Sequence, residues 1–161
     1  MKVIDMDSAR GIAFRYLGYS ARSQSQMAKR LERDEFPPEI IEAILAELTA
    51  EGYLDDEAFA AAWVTDRADR KKYGKTRLAQ ELQRRGVAKE TVQEALADVG
   101  EEDEIARALG AARPKWKAER YAALDSAGRQ AEQRKLSGFL QRRGFGWAII
   151  KQVLAELVAN G

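Results

Sequence analysis

The sequence predicts an all-α protein built of three tandem three-helix, helix-turn-helix-like repeats in an elongated, curved array, and three observations predict it. First, one stretch recurs. LQRRGVAKETVQEALADV (Leu82 to Val99) is preceded by LERDEFPPEIIEAILAEL (Leu31 to Leu48) and followed by LQRRGFGWAIIKQVLAEL (Leu140 to Leu157), at offsets of 51 and 58 residues. Leu31, Leu82 and Leu140 correspond, as do Phe36, Val87 and Phe145, then Ile41, Val92 and Ile150, then Leu45, Leu96 and Leu154. Self-similarity at such a period marks a repeat architecture. Second, the punctuation is that of helices: Gly86 and Gly144 sit where a helix end needs a left-handed residue, with an apolar residue directly after. Third, no stretch alternates with the period of two that a half-buried strand requires.

Each element follows from its own signals. The first helix begins near Asp7 or Ser8, carries Ile12, Phe14, Tyr16 and Leu17, and ends between Gly18 and Arg22. Ser23 with Gln26 three residues on reads as a capping box opening a short helix through Met27 and Leu31. There Glu35 stands in place of the glycine, and Pro37-Pro38 restarts the chain as the first turn of a third helix, closed by Gly52 with Tyr53 and Leu54 expected to tuck back onto it. The acids Asp55, Asp56 and Glu57 suit a first turn, whose dipole favours negative charge. The helix they open carries Phe59, Trp63 and Val64 as its core stripe and runs into Arg67 to Lys72. Gly74 after Tyr73 can cap the next helix, Lys75 to Arg85, and Lys89 to Val99 completes the second repeat. The third opens on Glu101 to Glu104 with a long helix through Ile105 and Leu109 that turns basic at Arg113, Lys115 and Lys117, with a kink or early end at Pro114. Tyr121 to Asp125 is the least legible stretch. A helix resumes by Ala127 and ends at Arg143, and the last, Trp147 to Val158, carries Ile149, Ile150, Val153, Leu154 and Leu157 on one face. The expectation is nine helices in repeats spanning residues 1–54, 55–100 and 101–161.

Composition narrows the function. With neither cysteine nor histidine, the chain lacks the commonest general base, the commonest transition-metal ligand and any thiolate nucleophile. Catalytic chemistry would have to work from carboxylates and lysines; the expectation is no enzyme, no catalytic residue, no metal and no cofactor. The N-terminal MKVIDMDSARG lacks the apolar core of a signal peptide, and no apolar run approaches the ~20 residues of a membrane span. A cytoplasmic monomer without membrane contact is expected.

A net charge of +1 conceals strong segregation. Glu32 to Asp66 holds eleven acidic residues and one basic; Arg67 to Arg85 holds eight basic and two acidic. Such patterning suggests one face for an anion and another that repels it. The basic cluster of Arg67, Arg70, Lys71, Lys72, Lys75 and Arg77 reads as a phosphate-tracking patch with Tyr73 available to stack or hydrogen-bond, or as a solvated helix end suited to the C-terminal dipole. The pairs Arg84-Arg85 and Arg142-Arg143 are either a reused surface or a record of duplication. A sequence-reading helix-turn-helix is disfavoured, because Glu39, Glu42 and Glu47 crowd one third helix and Glu90, Glu94 and Asp98 the next, and phosphate would repel both. Among the tryptophans, Trp63 lies in a core stripe. Trp116, amid Arg113, Lys115 and Lys117, and Trp147, after a tight turn, are candidates for partial exposure and a stacking contact.

The combination of GYLDDEAFA (Gly52 to Ala60), the Tyr73-Gly74 break with Arg77-Leu78, YGKTRLAQELQRRGV in the second repeat and LQRRGF in the third resembles the RecX family, regulators of the bacterial recombinase RecA, from about Asp7 to Val158. Glu35 departs from the lysine- or arginine-glycine often found at that turn. The resemblance implies a non-enzymatic modulator. Such a protein binds the RecA filament on single-stranded DNA in its groove, bridges protomers, limits filament growth, and suppresses recombinase, ATPase and co-protease activity. The partners expected are the RecA filament and single-stranded DNA, met through the filament or directly. The rival reading is a stand-alone nucleic-acid-binding helical protein using the same basic residues.

Overall fold

A computed structural model describes residues 3–160; the expected outer limits of the array, residues 1 and 161, lie outside them. The described residues form ten α-helices and no strand: α1 (Met6–Tyr19), α2 (Gln24–Arg33), α3 (Pro38–Ala50), α4 (Asp56–Lys71), α5 (Lys75–Arg84), α6 (Lys89–Ala97), α7 (Glu101–Ala112), α8 (Ala118–Ala122), α9 (Ser126–Arg142) and α10 (Trp147–Asn160), with a single 3-10 turn at Arg113–Lys115. The tenth helix is the five-residue α8. The long helix of the third repeat ends early near Pro114, one of the two outcomes expected: it stops at Ala112, because Pro114 cannot donate to an α-helical ladder and the chain tightens into the 3-10 turn. The first helix starts earlier than expected, since Asp5, not Asp7 or Ser8, is the cap and accepts the Ser8 N–H at 2.7 Å.

The three equivalent turns close identically. Phe36, Val87 and Phe145 each donate their N–H to the carbonyl five residues earlier, on Leu31, Leu82 and Leu140, at 3.1 Å in every case. The preceding residue is left-handed in all three, φ +77° at Gly86, +91° at Gly144 and +68° at Glu35. Glu35 therefore holds a glycine's conformation at a steric cost the other two turns avoid. The apolar partners are buried throughout: Leu31, Leu82 and Leu140 at 0%, Phe36, Val87 and Phe145 at 3–4%. The capping box at Ser23 and Gln26 is present with both reciprocal bonds. Gly52 is left-handed as expected, and of its followers Leu54 is buried while Tyr53 stays exposed, its ring edge-on to Phe14 at 5.0 Å.

By packing, the chain divides into two compact units. The first comprises the chain through Ala62 with Leu82–Val92; its core joins Ala9 and Ala13 of α1, Met27 and Leu31 of α2, and Ile41, Ile44 and Leu48 of α3. Within it the Ser23 hydroxyl donates to the Arg85 carbonyl at 2.5 Å and the Gln24 N–H donates to Asp56 at 2.9 Å, so the start of α2 is capped by the following repeat. The second unit comprises Trp63–Glu81 with the chain from Gln93 onward. Its core gathers Ala108, Leu109 and Ala112 of α7, Leu136 and Leu140 of α9, and all five expected residues of α10. Here the same joint recurs in other letters: the Gly74 N–H donates to the Arg143 carbonyl at 2.8 Å, and the Lys75 N–H donates to buried Glu104 at 3.1 Å. Each joint is the start of one repeat's second helix seated on the Arg-Arg-Gly turn of the next.

Candidate nucleic-acid interface

The basic residues singled out from the sequence lie at helix ends. Arg67, Arg70 and Lys71 occupy the last turns of α4; Lys72 and Tyr73 form the break; Lys75 and Arg77 begin α5; Arg84 is its last residue and Arg85 its cap; Arg142 ends α9 and Arg143 caps it. Arg70, Lys71, Lys72, Arg84 and Arg142 are exposed, while Arg67, Tyr73, Lys75, Arg77, Arg85 and Arg143 are half-buried. Lys72 carries a left-handed backbone, φ +54°, which turns the chain sharply between α4 and α5.

Residues far apart in the chain meet at Tyr73. The Arg143 guanidinium donates to the Lys71 carbonyl at 2.5 Å and that of Arg77 donates to the Arg142 carbonyl at 3.1 Å. Both guanidiniums lie against the Tyr73 ring, Arg77 at 4.2 Å and Arg143 at 5.8 Å from its centroid, the geometry of a cation–π contact. The ring is thus occupied by the protein's own arginines: Arg77 ties α5 to the α9 turn, and Arg143 ties that turn to the end of α4. The more accessible charges are those of Lys71, Lys72 and Arg142 in this unit, with Arg70 in an exposed pair with Asp66 at 3.2 Å. Arg84 and Arg85 belong to the other unit, where the Arg85 carbonyl holds the Ser23 joint.

Trp63 departs from the sequence reading, whereas Trp116 and Trp147 are partly exposed as expected. Trp63 is half-buried, not wholly a core residue: its N–H donates to Glu81 at 3.2 Å and Arg67 covers its ring at 4.4 Å. Trp147 is 62% exposed at the start of α10, and Trp116 is half-buried against Tyr121, ring centroids 4.5 Å apart.

The acidic helices keep their charge outward. Glu39 and Glu42 on α3 and Glu90, Glu94 and Asp98 at α6 are exposed. Glu47 is committed inside the first unit, where Arg10 grips it with two bonds of 2.7 and 2.9 Å. Those bonds hold the Glu47 carboxyl below its ordinary value of 4.5 and raise the Arg10 guanidinium further. Asp55 and Asp56 are caps, Asp55 accepting the Ala58 N–H at 3.1 Å.

Comparison with known proteins bears on what such a surface serves. Residues 9–48 match the family model described as RecX, first three-helix domain, and residues 55–96 match that of RecX, second three-helix domain. The chain is 34% identical over 157 residues to the regulatory protein RecX of Mycolicibacterium vanbaalenii, covering 96% of this chain and 84% of that protein. It is 35% identical over 154 residues to that of Thermobifida fusca, covering 95% and 80%. In structure it is similar to the crystal structure of RecX from Lactobacillus salivarius, with a TM-score of 0.84 at 20% identity, covering 94% of this chain and 96% of that one. A second crystal structure of a regulatory protein RecX gives a TM-score of 0.81 at 23% identity.

Proposed function

The chain belongs to the RecX family, and from that membership we propose that it is a non-enzymatic modulator of RecA, binding the RecA–single-stranded DNA filament in its groove and limiting filament growth. Recombinase, ATPase and co-protease activity then fall together, because all three require the extended filament. The observation that carries the reading is the pairing of whole-length similarity to regulatory RecX proteins with a segregated surface: exposed lysines and arginines at the α4–α5 break and the α9 turn, exposed carboxylates on α3 and α6. A filament groove offers both phosphate and protein, and a surface of alternating sign suits both. On this reading Lys71, Lys72, Lys75 and Arg142 face DNA or an acidic filament surface, the acidic helices face basic protein surface, and the chain acts as a cytoplasmic monomer.

The test is RecA preassembled on a labelled single strand and titrated with the protein, with ATP hydrolysis and filament disassembly followed together. Loss of both at ratios far below one per protomer is the expected result. Charge reversal at Lys71, Lys72 and Lys75 is expected to raise the amount needed; inhibition left intact would remove the basic residues from the interface. The second reading, a stand-alone nucleic-acid binder, has the exposed cations in its favour. It predicts salt-sensitive binding to free single strands and no effect on the filament.

A further inference from the structure

Beside the 3-10 turn, the third repeat holds a feature that shares only Arg142 with the basic residues described above. A groove of about 290 Å³ runs between the segment Pro114–Lys117 and α9. Lys115, Lys117, Arg120, Lys135 and Arg142 line it against one carboxylate, Glu132, which is shared with Arg120 at 3.5 Å. Four net positive charges around one small hollow repel one another, and an anion of matching charge relieves that repulsion.

We propose that this groove binds a di- or triphosphate group, carried by a nucleotide or free as polyphosphate. Three features favour a compact polyanion over a strand of nucleic acid. A phosphodiester brings one charge per nucleotide, too few for five cations around a single hollow. Strand binding without sequence preference also rests on bases stacked on open aromatic faces, and here those faces are taken. Phe139 has the Lys115 ammonium 4.8 Å and the Arg143 guanidinium 5.0 Å from its ring centre, and Trp116 leans on Tyr121. Finally, the Trp116 indole N–H is buried and lacks an acceptor among the described residues, which is costly for a donor. That ring also borders a second cavity of about 150 Å³ beside Glu156 and Leu157. The same ring lines the groove itself.

The experiment is calorimetric titration of the full chain at near-physiological salt with tripolyphosphate, pyrophosphate, ATP and a short oligothymidylate, in the absence of RecA. Failure here therefore leaves the filament reading standing. Expected are one site per chain, tighter binding of tripolyphosphate than pyrophosphate, and similar affinity for ATP, since the base makes no contact. Lys135→Glu, on the exposed side of α9, should weaken tripolyphosphate about tenfold or more, the loss of one charge-assisted contact. Lys151→Glu, the same charge change on α10 away from the groove, should leave it within about twofold. If Lys135→Glu and Lys151→Glu weaken binding equally, the attraction is diffuse and the site is overturned. Binding of oligothymidylate but not tripolyphosphate would overturn it in favour of a strand track, and no binding at all would overturn it outright. ATP far tighter than tripolyphosphate would overturn the polyphosphate assignment by placing recognition on the base.

Discussion

Glu35 holds a backbone angle of +68° in a turn whose two siblings use glycine. An L-residue there carries a steric cost of about 1–2 kcal/mol that glycine avoids, partly offset by the greater entropy of glycine in the unfolded chain. Glu35→Gly should therefore stabilise the protein by about 0.5–1 kcal/mol, seen as a higher urea midpoint at unchanged slope; a lower midpoint would mean the Glu35 side chain earns its place through contacts of its own. Glu47 makes a second residue-scale case. Its carboxyl titrates below its ordinary value because Arg10 holds it by two hydrogen bonds. A carboxyl depressed in the folded state stabilises above the unfolded value, and that stabilisation is lost as pH falls through the folded one. Glu47→Gln should thus be less stable than the natural chain at pH 7, and the two stability curves should converge as pH falls below the ordinary carboxylate value and through the lowered one, read by thermal melts across the range.

The elements whose cause is local were legible in the sequence, and those whose cause is distant were not. The Ser23–Gln26 capping box, the Leu-to-apolar closure of each turn and the stripe of α10 all depend on residues within a few positions of one another, and each is present. By contrast α8 has no apolar period; it is held from outside by Arg129, which donates to the carbonyls of Tyr121 and Ala122, and by Gln133, which donates to the Tyr121 hydroxyl. Glu104 reads as one of four acids complementing the first turn of α7, yet it is buried and caps α5, 29 residues away. The meeting of Arg77 and Arg143 at Tyr73 was equally hidden, since no local pattern links residues so far apart in the chain. The joints give the element-scale prediction. Gly52 and Gly144 are both left-handed, but a Cβ on Gly52 meets open space whereas one on Gly144 would overlap the Arg77 backbone. Gly52→Ala should cost about 1 kcal/mol from strain alone. Gly144→Ala should cost that and at least about 1 kcal/mol more, because α5 must lift off the turn. Equal losses in chemical denaturation would mean the joint yields without cost.

For the whole molecule the question is how much of its charge is available to a nucleic acid. The eleven residues that the sequence singles out include five exposed cations, Arg70, Lys71, Lys72, Arg84 and Arg142; of the rest, Arg77 and Arg143 are engaged in tying α5 and the end of α4 to the α9 turn. Each phosphate neutralised on a single strand contributes a slope of about −0.7 to log affinity against log salt. If all five exposed cations made contact, the slope would be about −3.5, well short of the eight-fold positive run that composition alone suggests. Lys72→Ala should make the slope shallower by about 0.7 while leaving the melting temperature unchanged. Arg143→Ala should do the reverse, lowering the melting temperature through the lost bond to Lys71 and the lost contact with Tyr73, with little effect on slope. A slope steeper than about −3.5 would mean that cations beyond these five contact the strand. A slope at or below that bound leaves free-strand affinity weak at physiological salt, so inhibition at substoichiometric ratios would have to draw on protein contacts, and the exposed carboxylates of α3 and α6 are the surface of opposite sign from which to draw them.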